Sequence, residues 1–164
     1  RPVRARAGTR RTSDPLLLAA LLVLPLAAPP LAAWGERLDL WVLPGGEARG
    51  WAGVALAAAG LALRIAAMVQ LGSRFHPTVA ILSEHALETR GPYSRIRHPG
   101  YAGAWLAALG GVLAFGSALG LAPVALMGVA LAARVRSEER VLAEHFGESY
   151  REYRARTGAF LPRF

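Results

Sequence analysis

The sequence predicts an all-α integral membrane bundle of about four transmembrane helices, with a C-terminal helical hairpin and a polar pocket at one end. Three observations carry that prediction. The chain is 54% hydrophobic over 164 residues, with positive mean hydropathy, where a soluble domain holds about 45–50% apolar residues. Its uncharged runs reach membrane-spanning length. Its basic residues gather in the segments between alternate runs, as topology rules require.

The first run, 15–35, is free of charge and follows Arg1, Arg4, Arg6, Arg10 and Arg11. About 20 residues suffice to cross the hydrocarbon core. A basic stretch before an apolar core ending in Leu31-Ala32-Ala33 also fits a cleaved signal peptide, although signal cores run only about 7–15 residues. The second run, 50–73, has Arg64 as its one charge. Such a charge costs about 2.5–3.5 kcal/mol on insertion scales, so Arg64 faces a partner or snorkels, and snorkelling is the simpler account. Ala55, Ala59, Ala62 and Ala66 form a small-residue face suited to helix packing.

Residues 99–133 carry no charge at all. As one straight helix they would extend roughly 52 Å, far beyond a core of about 30 Å. They are therefore expected to fold back near Phe115-Gly116-Ser117, giving spans 99–116 and 117–134. Segments 74–98 and 135–164 then form the polar end. The N-terminal arm, Arg74 to Arg97 and the seven Arg from 134 onward fall on one side, so both termini are expected in the cytoplasm. Arg supplies all 19 basic residues against 11 acids, and beside such apolar runs this excess fits anionic lipid headgroups rather than nucleic acid. With no Cys, disulfides, thiolate metal sites and cysteine nucleophiles are excluded. His76, His85, His98 and His145 lack metal-ligand spacing, and no metal is expected.

Two polar segments hold the candidate chemistry. In the first, Gly91-Pro92 signals a turn. Pro99 keeps His98 out of the helical region and suits the first position of the third span. A helix start beside Arg95, Arg97 and His98 favours an anion such as a carboxylate, and Gly100 and Gly103 would admit a ligand to the backbone. The same features suit a juxtamembrane loop on lipid phosphates, and the residues alone leave both readings open. In the second segment, Arg134 and Glu138 share one helical face. Glu139 lies about 100° around from Glu138, so the two form no facing dyad. Leu142, Phe146, Tyr150 and Tyr153 make a packing stripe that Gly147 interrupts, and His145 is a surface or cap residue.

Together, Gly91-Pro92-Tyr93, Arg97-His98-Pro99-x-Tyr101-x-Gly103, the uncharged hairpin, Glu138-Glu139 and Phe146-Gly147-Glu148-x-Tyr150-x-x-Tyr153 resemble the isoprenylcysteine carboxyl methyltransferase family. That family lies within a wider group of membrane and phospholipid methyltransferases. The resemblance covers about residues 71–162. It implies S-adenosylmethionine as cofactor, with S-adenosylhomocysteine as product, and a lipidic or prenylated substrate; the composition and the apolar runs point to a multi-pass protein of a bacterial inner membrane. The resemblance places His85, Leu87, Tyr93, His98, Pro99, Gly100, Tyr101 and Glu138 at the donor, and it makes Arg134 and Glu138 the catalytic candidates. Glu88 departs from the family pattern, and the chain has fewer spans than larger eukaryotic members. Two alternatives share the scaffold: a phospholipid amine N-methyltransferase, which would need Glu138 or Glu139 as a base, and a non-catalytic membrane protein.

Overall fold

The computed structural model describes residues 15–72 and 87–163. Among the described residues, five α-helices follow in order: α1 Pro15–Arg37, α2 Gly46–Leu71, α3 Pro99–Phe115, α4 Leu121–Phe146 and α5 Glu148–Arg156. Short 3-10 turns span Gly91–Ser94 and Ala118–Gly120. Pro15–Arg37, Gly46–Leu71 and the helical run Ala118–Phe146 are long and apolar enough to cross a membrane. The 17 residues of α3 reach about 25 Å at 1.5 Å each, so this fourth apolar helix is slightly short of a full span. The predicted all-α membrane bundle is the observed architecture.

The fold-back falls where predicted. Gly116 terminates α3 in the left-handed region, φ 89°, a conformation glycine adopts without a Cβ penalty. Ser117 then caps the next turn, its hydroxyl accepting from Leu119 N. The two arms are not a closed pair, because α1 packs against both of them. Ala28 and Ala32 of α1 join Ala108, Val112, Val124, Met127 and Leu131 in the core. Trp105 crosses from α3 to α4, its indole N–H donating to Val124 O at 3.0 Å, and the bare backbone of Gly128 lies against its ring.

Helix α2 lies along α3 in backbone-to-backbone contact. A Cβ at Gly60 would stand 2.5 Å from Ala107 N and 2.7 Å from Gly103 O, and one at Gly103 would meet Gly60 O and Arg64 N. Gly53 and Gly110 make the same reciprocal approach one heptad away. This corrects the packing face read from sequence. Ala55, Ala59, Ala62 and Ala66 are exposed on the outer side, whereas Gly53, Gly60 and Ala67 are buried. Close approach of two helices requires removing Cβ atoms, and only glycine removes them. Gly103 accordingly admits the neighbouring helix, not a ligand. Arg64 is also corrected: it has a partner within the bundle, its guanidinium donating to Gly100 O at 3.1 Å.

At the first-loop end, the half-buried Arg49 ties three segments together. It donates to Leu43 O and Gly116 O and pairs with Glu36 at 3.0 Å. Leu43 N in turn donates to Gly116 O, so the first loop is fastened to the fold-back of α3.

Candidate active site

The opposite end gathers the polar residues singled out in the sequence. Pro99 opens α3 with His98 as N-cap, and His98 O accepts from Tyr101 N and Ala102 N. Both His98 and Pro99 are buried. The His98 ring lies parallel to that of Tyr101, centroids 5.7 Å apart, with Phe160 tilted at 6.4 Å. Helix α4 continues twelve residues past Arg134, from membrane into the polar end without a break, and so carries Arg134 and Glu138 on one face toward α3. The Tyr101 hydroxyl joins them: it donates to Glu138 Oε2 at 2.9 Å and accepts from Arg134 Nε at 3.0 Å.

Tyr93 completes the group from the 3-10 turn, its hydroxyl 3.5 Å from Ala67 O. Burial pushes its phenol pKa well above the usual range, and the nearby charge of Glu138 pushes it the same way. Tyr93, His98, Tyr101, Arg134 and Glu138 thus share one site. Pro99 and Gly100 contribute backbone at its edge, and the Gly100 carbonyl is occupied by Arg64. Leu87 is half-buried in the irregular stretch leading to the turn. His85 lies outside the described residues.

Sequence reasoning expected an anion beside Arg95, Arg97 and His98, and the structure supplies one from the protein itself. Glu139 Oε1 stands 2.7 Å from Arg97 Nε and 3.4 Å from His98 Nε2, and Glu139 Oε2 is 3.7 Å from Arg154. Arg97 also donates to the carbonyls of Arg154 and Thr157. The C-terminal tail then runs beside the loop as a short strap: Arg97 N donates to Gly158 O, His98 N to Ala159 O and Gly158 N to Arg95 O. Gly147, φ 55°, breaks α4 from α5, and Tyr150 and Tyr153 bury against the loop side. Tyr153 donates to Tyr93 O at 2.6 Å. The sequence singled out Glu139 but not its pairing with Arg97, nor the backbone pairing of the strap. The 100° offset between Glu138 and Glu139 was the available signal for the first, since it sends the two acids to different partners.

This set can hold a cationic ligand that carries an aromatic base. Glu138 offers a carboxylate to an ammonium, and the rings of Tyr93, His98 and Tyr101 offer faces to a sulfonium or a base. Among the described residues, no group of three acidic or imidazole side chains is arranged to hold a metal ion.

Known proteins extend this picture. A model of the isoprenylcysteine carboxyl methyltransferase (ICMT) family matches residues 53–144, more than half of the chain. The chain belongs to that family. It is 35% identical over 103 residues to a protein-S-isoprenylcysteine O-methyltransferase of Schizosaccharomyces pombe, covering 61% of this chain and 44% of that protein. A Xenopus laevis protein of the same name is 32% identical over 91% of this chain and 54% of its own length. A bacterial relative, the cobalt-zinc-cadmium resistance protein CzcN of Cupriavidus metallidurans, is 37% identical over 75% of this chain and 52% of its own length. The solved structure of a eukaryotic intramembrane Ras methyltransferase, ICMT, superposes with a TM-score of 0.69 over 86% of this chain and 51% of that one, at 24% identity. The chain spans about half the length of the curated relatives it matches.

Proposed function

We propose that the protein is an S-adenosylmethionine-dependent integral membrane methyltransferase that esterifies the carboxylate of a lipidic substrate such as a prenylated cysteine. One observation carries the reading: Arg134 and Glu138 meet on the Tyr101 hydroxyl, beside the His98 ring. A cation for an acceptor carboxylate and an anion for a donor ammonium are thereby held in fixed relation. When bound, S-adenosylmethionine supplies an electrophilic methyl group whose sulfur leaves as a neutral thioether. Transfer of that methyl to a carboxylate oxygen, with the carbon–sulfur pair leaving on sulfur, would require no proton movement by the protein.

The protein's own task is therefore positioning and desolvation. A carboxylate is ionised at pH 7, having a pKa near about 4, and requires no base. Arg134, buried, pairs with it and orients it. Glu138 would hold the donor's ammonium, and Tyr93 and Tyr101 would offer ring faces to its cationic sulfur. The acceptor's apolar tail reaches the site laterally from the bilayer. In this reading the Arg-rich polar end and both termini lie in the cytoplasm, where the donor is available.

Amine methylation on the same scaffold is less favoured by this geometry. A cationic amine would have to approach Arg134, whose like charge opposes it. Purified protein given labelled donor should transfer methyl to a farnesylated cysteine derivative and not to phosphatidylethanolamine. Transfer to the amine alone would refute the carboxylate assignment, and donor binding without any transfer would indicate a non-catalytic scaffold.

A further inference from the structure

The two adjacent acids at the end of α4 have separate tasks. Glu138 turns to Tyr101. Glu139 faces three basic groups drawn from two other segments: Arg97 and His98 of the loop and Arg154 of α5. Its charge is already compensated by the two guanidinium groups, so the proximity of His98 has another consequence.

The His98 ring is fixed in plane by the α3 N-terminus, the parallel Tyr101 ring and Phe160. Packing of that kind does not determine which nitrogen carries the proton. A neutral imidazole has one N–H and one lone pair. Nε2 is buried and makes no hydrogen bond, and a lone pair on it would lie 3.4 Å from the Glu139 Oε1 charge with little water to screen the repulsion. With the proton on Nε2 the same contact is attractive.

We propose that Glu139 is a positioning residue for the donor site, holding His98 in the tautomer with Nε2 protonated and leaving Nδ1 as the ring's acceptor for a bound ligand. The functional half of this inference rests on the methyltransferase reading. The residue acts through His98 and touches no reacting atom. Arg97 Nε and His98 Nε2 both address the same oxygen, Oε1. A Glu139→Gln variant therefore keeps an acceptor there, with its amide oxygen held by Arg97, while losing the charge.

The test is nitrogen-15 NMR of histidine-labelled protein in detergent. The chain has four His, so His98→Gln identifies the signal. Ligand-free wild type should show His98 with a pyrrole-type Nε2 and a pyridine-type Nδ1. Glu139→Gln should preserve that pattern and bind S-adenosylhomocysteine within about twofold of wild type. Glu139→Ala should average the two shifts and weaken that binding severalfold, more than the Gln variant does. A wild-type proton on Nδ1 would overturn the proposal. So would a Gln variant that behaves as the Ala variant does, since Glu139 would then serve only as a counter-charge. The tautomer is read without ligand and donor binding by wild type in a separate titration, so failure of the methyltransferase reading is distinguishable from failure of this inference.

Discussion

The Arg134 guanidinium donates through Nε to the Tyr101 hydroxyl at 3.0 Å, and the same hydroxyl donates onward to Glu138. One phenol on α3 therefore sets the relation between two charges on α4. Tyr101→Phe keeps the ring stacked on His98 and removes only that link. It should cost about 1–3 kcal/mol of stability, as expected for buried polar groups that lose a partner. Methyl transfer should fall at least tenfold. Turnover equal to wild type would show that the link has no part in catalysis.

The glycine contacts between α2 and α3 make a prediction of unusual sign. In an exposed helix, Gly→Ala stabilises by about 1 kcal/mol. Gly60→Ala and Gly103→Ala should instead destabilise by about 1–3 kcal/mol, because the new methyl meets rigid backbone on the facing helix. Ala59→Leu, on the exposed face of α2, should leave the melting temperature nearly unchanged. Thermal melts in detergent decide it, and stabilisation by either alanine would refute the packing.

The strap titrates at high pH. Burial pushes the Tyr153 phenol up to about 12 from its ordinary 10. A pKa raised by folding means that the folded state holds its proton where the unfolded state has lost it. The contribution is therefore complete below pH 10 and is lost as the pH rises from 10 through 12. Phenolate absorbance should show late ionisation among the four Tyr, and stability should fall in that window. Tyr153→Phe should lessen the fall without abolishing it, since burial raises the Tyr93 and Tyr150 phenols as well, and should give up the bond to Tyr93 O. An unchanged alkaline profile in that variant would contradict the assignment.

At the far end, Arg49→Ala should release the first loop from the fold-back at Gly116. Loss of bonds from a charged, half-buried donor implies about 1.5–3 kcal/mol. Donor affinity should stay within about twofold of wild type, since Arg49 lies at the opposite end from the site. A large loss of affinity with stability unchanged would oppose this division of labour.

How much of this was legible in sequence follows from the range of each interaction. Uncharged runs announce helices because length and charge are local properties, and Pro99 announces a helix start because its ring fixes φ. The face shared by Arg134 and Glu138 followed from helical period alone. The packing face of α2 did not, because alanine is abundant on every side of that helix and only the facing glycines of α3 distinguish Gly53 and Gly60. Arg64 was read as snorkelling for the same reason: its acceptor, Gly100 O, lies 36 positions away. Arg97 and Thr157 are 60 apart, and no periodicity records such a pairing.

In the proposed function this end of the bundle binds a methyl donor through Tyr93, His98, Tyr101 and Glu138, and an acceptor through Arg134. Calorimetric titration of the detergent-purified protein with S-adenosylhomocysteine tests it most directly. Wild type and Arg134→Ala should bind one equivalent with similar affinity. Glu138→Ala should bind at least tenfold more weakly, the scale of one lost charge-assisted hydrogen bond. Folded wild type that binds no S-adenosylhomocysteine, or a Glu138→Ala variant that binds as wild type does, would contradict the account.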